Sequence, residues 1–362
     1  MGSETKGWRA ALPATTGEWR RDTGEYAVAL LASDVPVAPT PRPALLRSSP
    51  MKRTSWNGRA WLWPLLVALL SACSSSPPKP GAAPGPVADS NDVDQLAANA
   101  LAMWGTNASA NGSQALSQIQ KASQAAPQRP EILWLHLRLC VEVAGCEPEP
   151  LEGRLRKLDP DNGAAWIGAL SRAQTRRDAR AEAQILDMMA KAADFNIYWT
   201  TLIAKLAPYV SRMPVATSAT QPVPTPLTNA MNSTVGWLSA LATSSFRPVT
   251  AACSEQKVRE PATRVTCQQV AQALVRSDTT LAEGIGLGIE QRLAVPNSAG
   301  AMQVMDKIQT LRHQNQAAGA VVAAQVEKDK FAGQMLKLNE QLKKEQDVSR
   351  AILRWAGQPL TP

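Results

Sequence analysis

Leu158-Asp159-Pro160-Asp161-Asn162-Gly163-Ala164-Ala165-Trp166 joins two stretches of helical apolar spacing through a proline turn. Stepping outward from it reveals a period. Leu133, Trp166 and Trp199 stand 33 residues apart, and Leu137, Leu170 and Ile203 follow in the same register, as do Cys140, Ala173 and Leu206. Pro127 and Pro160 are also separated by 33. Upstream, Ala115, Ile119, Ala122 and Pro127 are spaced four, three and five. Apolar residues recurring three and four apart, among many alanines and few β-branched runs, predict helices from Asp92 onward. A fixed period in such a pattern marks helical hairpins that cannot bury their apolar faces alone and must stack on a neighbour. The other account of the spacing is an irregular helical bundle.

These residues resemble the tetratricopeptide repeat, whose first helix carries an aromatic early and a small residue late. Its second helix carries A-x3-F-x2-A-x4-P, matched here by Ala115, Ile119, Ala122 and Pro127. The resemblance covers residues 92–210. It departs from the family in its period, in Ala169-Leu170 where Leu-Gly is usual, and in lacking Tyr at Cys140 and Ala173. It implies an all-α fold whose repeat core is Leu133, Leu137, Trp166, Leu170, Trp199 and Ile203.

Beyond the repeats, prolines at 208, 214, 222, 224 and 226 predict a linker over 211–227. Residues 228–313 read as further helices: Thr228 to Ser244, Thr263 to Arg276, Asp278 to Ala294 capped by Ser277, and Asn297 to His313. The segment 314–362 is charged and nearly free of breakers, which predicts a long amphipathic C-terminal helix and tail. Phe331, Met335, Leu338 and Leu342 make a brief heptad seam that resumes at Val348 and Ile352. That seam can pack on the body or serve self-association through 331–352.

Before Asp92 the chain reads differently. Met51-Lys52-Arg53 and Arg59 form a basic stretch, and Ala60 to Leu70 is an apolar run too short to span a bilayer. Leu70-Ser71-Ala72-Cys73 follows, and it resembles the lipobox of bacterial lipoproteins. The resemblance implies a signal peptide over 51–72 and lipid on Cys73. With Ser74 after that Cys, it also implies retention at the outer membrane, facing the periplasm. Residues 73–91, rich in Pro, Gly and Ser, are expected to be a flexible tether. Residues 1–50 precede a complete signal and read as an upstream extension, with Met51 as the initiator.

The formal charge of +8 needs correcting for this signal. Of 38 Lys/Arg and 30 Asp/Glu, nine and five precede Cys73, which leaves 29 and 25. That balance is too mild and too dispersed to imply nucleic-acid binding. The densest basic spot, Arg172, Arg176, Arg177 and Arg180, reads as a solvated helix end.

Four cysteines remain beyond Cys73: Cys140, Cys146, Cys253 and Cys267. An even number in an oxidising compartment suggests two disulfides, for which the sequence permits three pairings. The local pairs are expected. On one helix Cys140 and Cys146 would be about 9 Å apart along the axis, beyond disulfide reach, but Gly145 and the prolines after it offer a chain reversal. Neither pair has CxxC spacing, so no metal and no cofactor are expected.

Gly284-Ile285-Gly286-Leu287-Gly288 has no GK[ST] after it and reads as a helix-packing surface. His136 and His313 read as structural, and neither a GxSxG elbow nor an S-x-x-K pair occurs. The functional expectation is a membrane-anchored scaffold that binds an envelope protein or peptide, without catalysis. The alternative class is an unrecognised cell-envelope enzyme acting on cell-wall material.

Overall fold

The computed structural model describes residues 92–213, 225–325 and 328–362. The expected signal peptide, Cys73 and the tether lie outside these residues, as does most of the expected linker. The described residues form an all-α fold in one compact unit, with an isolated bridge between Asn162 and Asp194 and no strand.

Asp92 caps α1 (Val93–Thr106) by accepting the Asp94 N–H at 2.9 Å. Asn107 ends α1 and caps α2 (Ala108–Ala125), so one residue makes the turn. Ala115, Ile119 and Ala122 of α2 are fully buried. Pro130 starts α3 (Pro130–Glu142), where its missing N–H costs nothing. After α4 (Glu149–Leu158), a 3-10 turn over Gly163–Trp166 leads into α5 (Ile167–Thr175) and α6 (Ala179–Ala190). Helix α7 (Trp199–Val210) follows. Helices α3, α5 and α7 stop within two residues of the same point of the 33-residue register, although α3 starts three to four residues earlier in it than the other two.

The turn at 158–166 docks onto its counterpart one period later. Asn162 Nδ2 donates to the Asn196 carbonyl at 2.8 Å, and its Oδ1 accepts the Asn196 N–H at 3.0 Å. Tyr198 Oη donates to Asp159 at 2.6 Å. Leu133, Leu137, Leu170, Trp199 and Ile203 are buried, whereas Trp166 is half-buried beneath Arg156, whose guanidinium lies 4.6 Å from the ring. The principal partners of α7 are α1, α13 (Asp329–Gln341) and α8 (Pro226–Ser245). One core therefore runs from Leu96 to Ala332 and joins the periodic helices to those that follow.

The second half continues with α9 (Arg247–Ala252), α10 (Pro261–Val275), α11 (Thr280–Leu293), α12 (Ala299–Gln325) and α14 (Glu345–Trp355). The single long helix expected over 314–362 is divided among α12, α13 and α14. Its last break has a tertiary cause. Lys344 Nζ reaches the Arg276 carbonyl at 2.6 Å, the Glu345 N–H donates to the Asp278 carbonyl at 2.8 Å, and Lys344 stays extended between them. The seam is used within the chain: Phe331, Val348 and Ile352 are buried, and Met335, Leu338 and Leu342 pack on its cores. The cap of α11 is Thr279, which accepts the Ala282 N–H at 3.2 Å, and not Ser277. Among the described residues, no helix is long and apolar enough to cross a membrane.

Candidate functional site

An open groove of about 680 Å³ lies between α5, the end of α8, α9 and α11. Ser171 and Gln174 of α5 form one wall. Ser244, Arg247, Thr250 and Ala251 form another, and Ser254, Glu255 and Arg292 complete the lining. Phe246, Val249 and Ala252 are buried beneath, so α9 is fixed by its apolar side while its polar side faces the groove.

Side-chain bonds hold the walls in place. Gln174 Nε2 donates to the Pro248 carbonyl at 2.9 Å and ties α5 to α9. Arg138 of α3 donates to Ser244 Oγ at 3.1 Å, which ties α3 to α8. Arg292 donates to the Cys253 carbonyl at 3.2 Å, and the Cys253–Cys267 disulfide clamps the end of α9 to α10.

The charges around the groove are unevenly paired. Glu182 is held by Lys257 at 2.5 Å, Glu142 by Arg138 at 3.3 Å and Glu255 by Arg259 at 3.6 Å. Arg247 makes no ion pair among the described residues, and the Arg292 guanidinium donates only to a carbonyl. The groove is therefore rich in donors and in spare positive charge. Guanidinium groups stay protonated and present a planar fork suited to carboxylates.

The residues singled out by sequence have other places. Cys140 and Cys146 are joined, with Gly145 at φ +85° making the reversal that only glycine adopts freely. Both local disulfides are present, and only that of Cys253 borders the groove. His136 does have a partner. Its Nδ1 lies 2.8 Å from Ser123 Oγ, but both residues are buried. Burial, helped by the positive field of Arg154, pushes the imidazole down to about 4. A neutral, enclosed Ser–His pair is a packing feature here.

The basic cluster divides as well. Arg172 turns inward and donates two hydrogen bonds to the carboxylate of the buried Glu152, at 2.7 and 2.6 Å, whereas Arg176, Arg177 and Arg180 are exposed. In the glycine run, Gly286 is the tight position. A Cβ there would come within 2.7 Å of the Ala271 carbonyl oxygen, while Gly288 faces open space. Sequence reading missed Gln174, Arg247 and Arg292, because each sits in an ordinary helix-end context and only the tertiary fold gathers them.

Comparison of the chain with protein-family models, with curated proteins and with solved structures finds no match.

Proposed function

We propose that this chain is an outer-membrane lipoprotein, anchored through Cys73 and facing the periplasm, whose helical body binds an extended segment of an envelope protein or peptide. The observation that carries the binding reading is the groove. It is open, presents hydroxyl and guanidinium groups, and is walled by helices that are tied to each other by side-chain bonds. Such a preorganised wall binds a flexible segment without first ordering itself. The ionisable groups lining it are two arginines and one glutamate, and arginine does not exchange protons at working pH. That chemistry suits recognition rather than acid–base catalysis. The lipobox-like Cys73 supports the anchor, and the two disulfides suit an oxidising compartment.

Two measurements test this. A photo-crosslinking residue at Ala251 in intact cells should yield an adduct that the same residue at Gln303 on α12 does not. Recovery of monomer alone at native abundance would count against the binding role. Cys73→Ala should abolish lipid labelling, and a processed Cys73→Ala chain still sedimenting with outer membranes would remove the anchor from this residue.

A further inference from the structure

We propose that the groove selects acidic segments, with carboxylate side chains of the bound peptide seated on Arg247 and Arg292; this rests on the binding reading above. Among the described residues, three acids around the groove have a basic partner within the chain: Glu182 has Lys257, Glu142 has Arg138 and the exposed Glu255 has Arg259. The two arginines that face the groove lack one. The positive field continues past the α5 wall, because the exposed Arg176 and Arg177 follow Gln174 where that helix ends. An acidic side chain meets unspent donors from both α9 and α11, whereas a basic one meets like charge on them.

The geometry also fixes how the guanidiniums are presented. Arg292 is held by the Cys253 carbonyl, so its remaining N–H groups are oriented before any partner arrives. Arg247 sits directly after Phe246, which is 1% exposed and anchors the backbone at that point. Ser171 and Ser254 add hydroxyls that can donate to the backbone carbonyls of an extended segment, while Ser244 and Thr250, whose protons go to the Leu241 and Arg247 carbonyls, offer acceptors to its N–H groups. Charge supplies the selection, and the hydroxyls supply affinity that is indifferent to sequence.

The test is a screen of short random peptides displayed on beads against the full chain in detergent micelles. Selected peptides should be enriched in Asp and Glu. Their affinity should fall roughly tenfold with Arg247→Gln, as expected for losing a hydrogen-bonded charge contact, and should weaken as salt is raised. Arg292→Gln should do the same, and Arg247→Gln alone keeps the test valid if loss of the Cys253 contact disturbs α9. Ala251→Trp, which fills the groove without changing charge, should abolish binding. Selection of neutral or basic peptides that Ala251→Trp blocks but Arg247→Gln leaves unchanged would overturn the acidic preference and keep the binding reading. Peptides indifferent to Ala251→Trp, or no selected peptide at all, would overturn both.

Discussion

The Asp278 carboxylate accepts the backbone N–H of Trp199 at 2.8 Å and that of Ile197 at 3.0 Å, so α7 takes its N-terminal cap from a residue 79 positions further along the chain. Glu345 does the same for α11, accepting the Thr280 N–H at 2.7 Å and its hydroxyl at 2.8 Å. The Glu345 N–H in turn donates to the Asp278 carbonyl. Three helix starts therefore meet at two buried carboxyls, and this junction joins the periodic half of the chain to its C-terminal helices. Tyr198 precedes α7 in the left-handed region at φ +60°, a strained setting that the bonds on either side of it hold in place.

Replacing Asp278 by Ala should leave two buried N–H groups without acceptors. The expected loss is about 3 kcal/mol of unfolding free energy, since each orphaned buried group costs ~1–3 kcal/mol. Urea titration followed by far-ultraviolet dichroism measures it. A loss below about 0.5 kcal/mol, the range of ordinary surface changes, would mean that these bonds do not hold the junction together.

The same junction makes stability depend on pH. Burial pushes Asp278 up to about 7 against the pull of its two N–H donors, and it also raises Glu345, Glu283 and Asp194. These carboxyls keep a proton in the folded chain after the unfolded chain has released it. The stability linked to them is complete below the ordinary carboxylate range and is lost as pH rises, for Asp278 through about 7. His136 acts oppositely. Lowered to about 4, it stays neutral when folded while the unfolded imidazole takes a proton, so its contribution is present above its ordinary value of 6.5 and lost as pH falls toward 4. The two slopes oppose each other between these limits. Unfolding free energy should therefore decline between about pH 6.5 and 7 and level off above it, and His136→Gln should extend the decline to lower pH. Each uncompensated proton steepens the slope by ~1.4 kcal/mol per pH unit, and Asp278→Asn should flatten it. A pH profile that rises steadily from 6.5 to 8 in the unaltered chain would contradict this assignment.

The glycine run in α11 gives a paired comparison. Gly286→Ala puts a methyl 2.7 Å from the Ala271 carbonyl oxygen and 2.9 Å from Leu274 Cβ, so α10 and α11 must move apart. Overpacking of this kind costs ~1–3 kcal/mol. Gly288→Ala meets nothing within 4 Å and gains helix propensity of up to about 1 kcal/mol. Thermal melts of the two variants should therefore shift in opposite directions.

Local chemistry made much of this fold legible. The three- and four-residue spacing reads correctly as helix, whereas α3, α5 and α7 share the 33-residue step only at their C-terminal ends, and α7 packs mainly on α1, α8 and α13 rather than on α5. Both local disulfides, favoured in sequence among three pairings, are present, and Gly145 makes the reversal that the Cys140–Cys146 pair needs. What could not be read is what depends on distant partners. Glu345 appears in sequence only as an interruption of the heptad seam, and the break beside it exists because Asp278 and Thr280 bind it from elsewhere in the chain. Asp278 likewise reads as a first-turn acid of its own helix until Ile197 and Trp199 are seen to donate to it. The groove is of the same kind, since Gln174 and Arg292 bond to Pro248 and Cys253 from 74 and 39 residues away in the chain.

The Cys253–Cys267 bridge is placed to couple oxidation to the groove. Cys253 ends α9, Cys267 lies in the second turn of α10, and both are fully buried. The segment between them holds a short 3-10 turn, fixed by the buried Val258 and the Lys257–Glu182 pair, and then the start of α10, so the end of α9 at Cys253 depends on the bridge more than the rest of the segment does. In the chain-entropy account a loop of about 15 residues contributes roughly 3 kcal/mol. The shorter Cys140–Cys146 loop contributes less, and Cys140 belongs to a helix already buried along most of its length. Reduction should therefore free the end of α9 first, and with it the carbonyl that holds Arg292. Hydrogen exchange of the reduced chain should accelerate at Val249 to Cys253 while α1 to α3 remain protected. The double variant Cys253→Ser, Cys267→Ser should reproduce that pattern without reductant, and Cys140→Ser, Cys146→Ser should not. Equal acceleration throughout the chain would mean that the bridge supports global folding and has no particular hold on the groove.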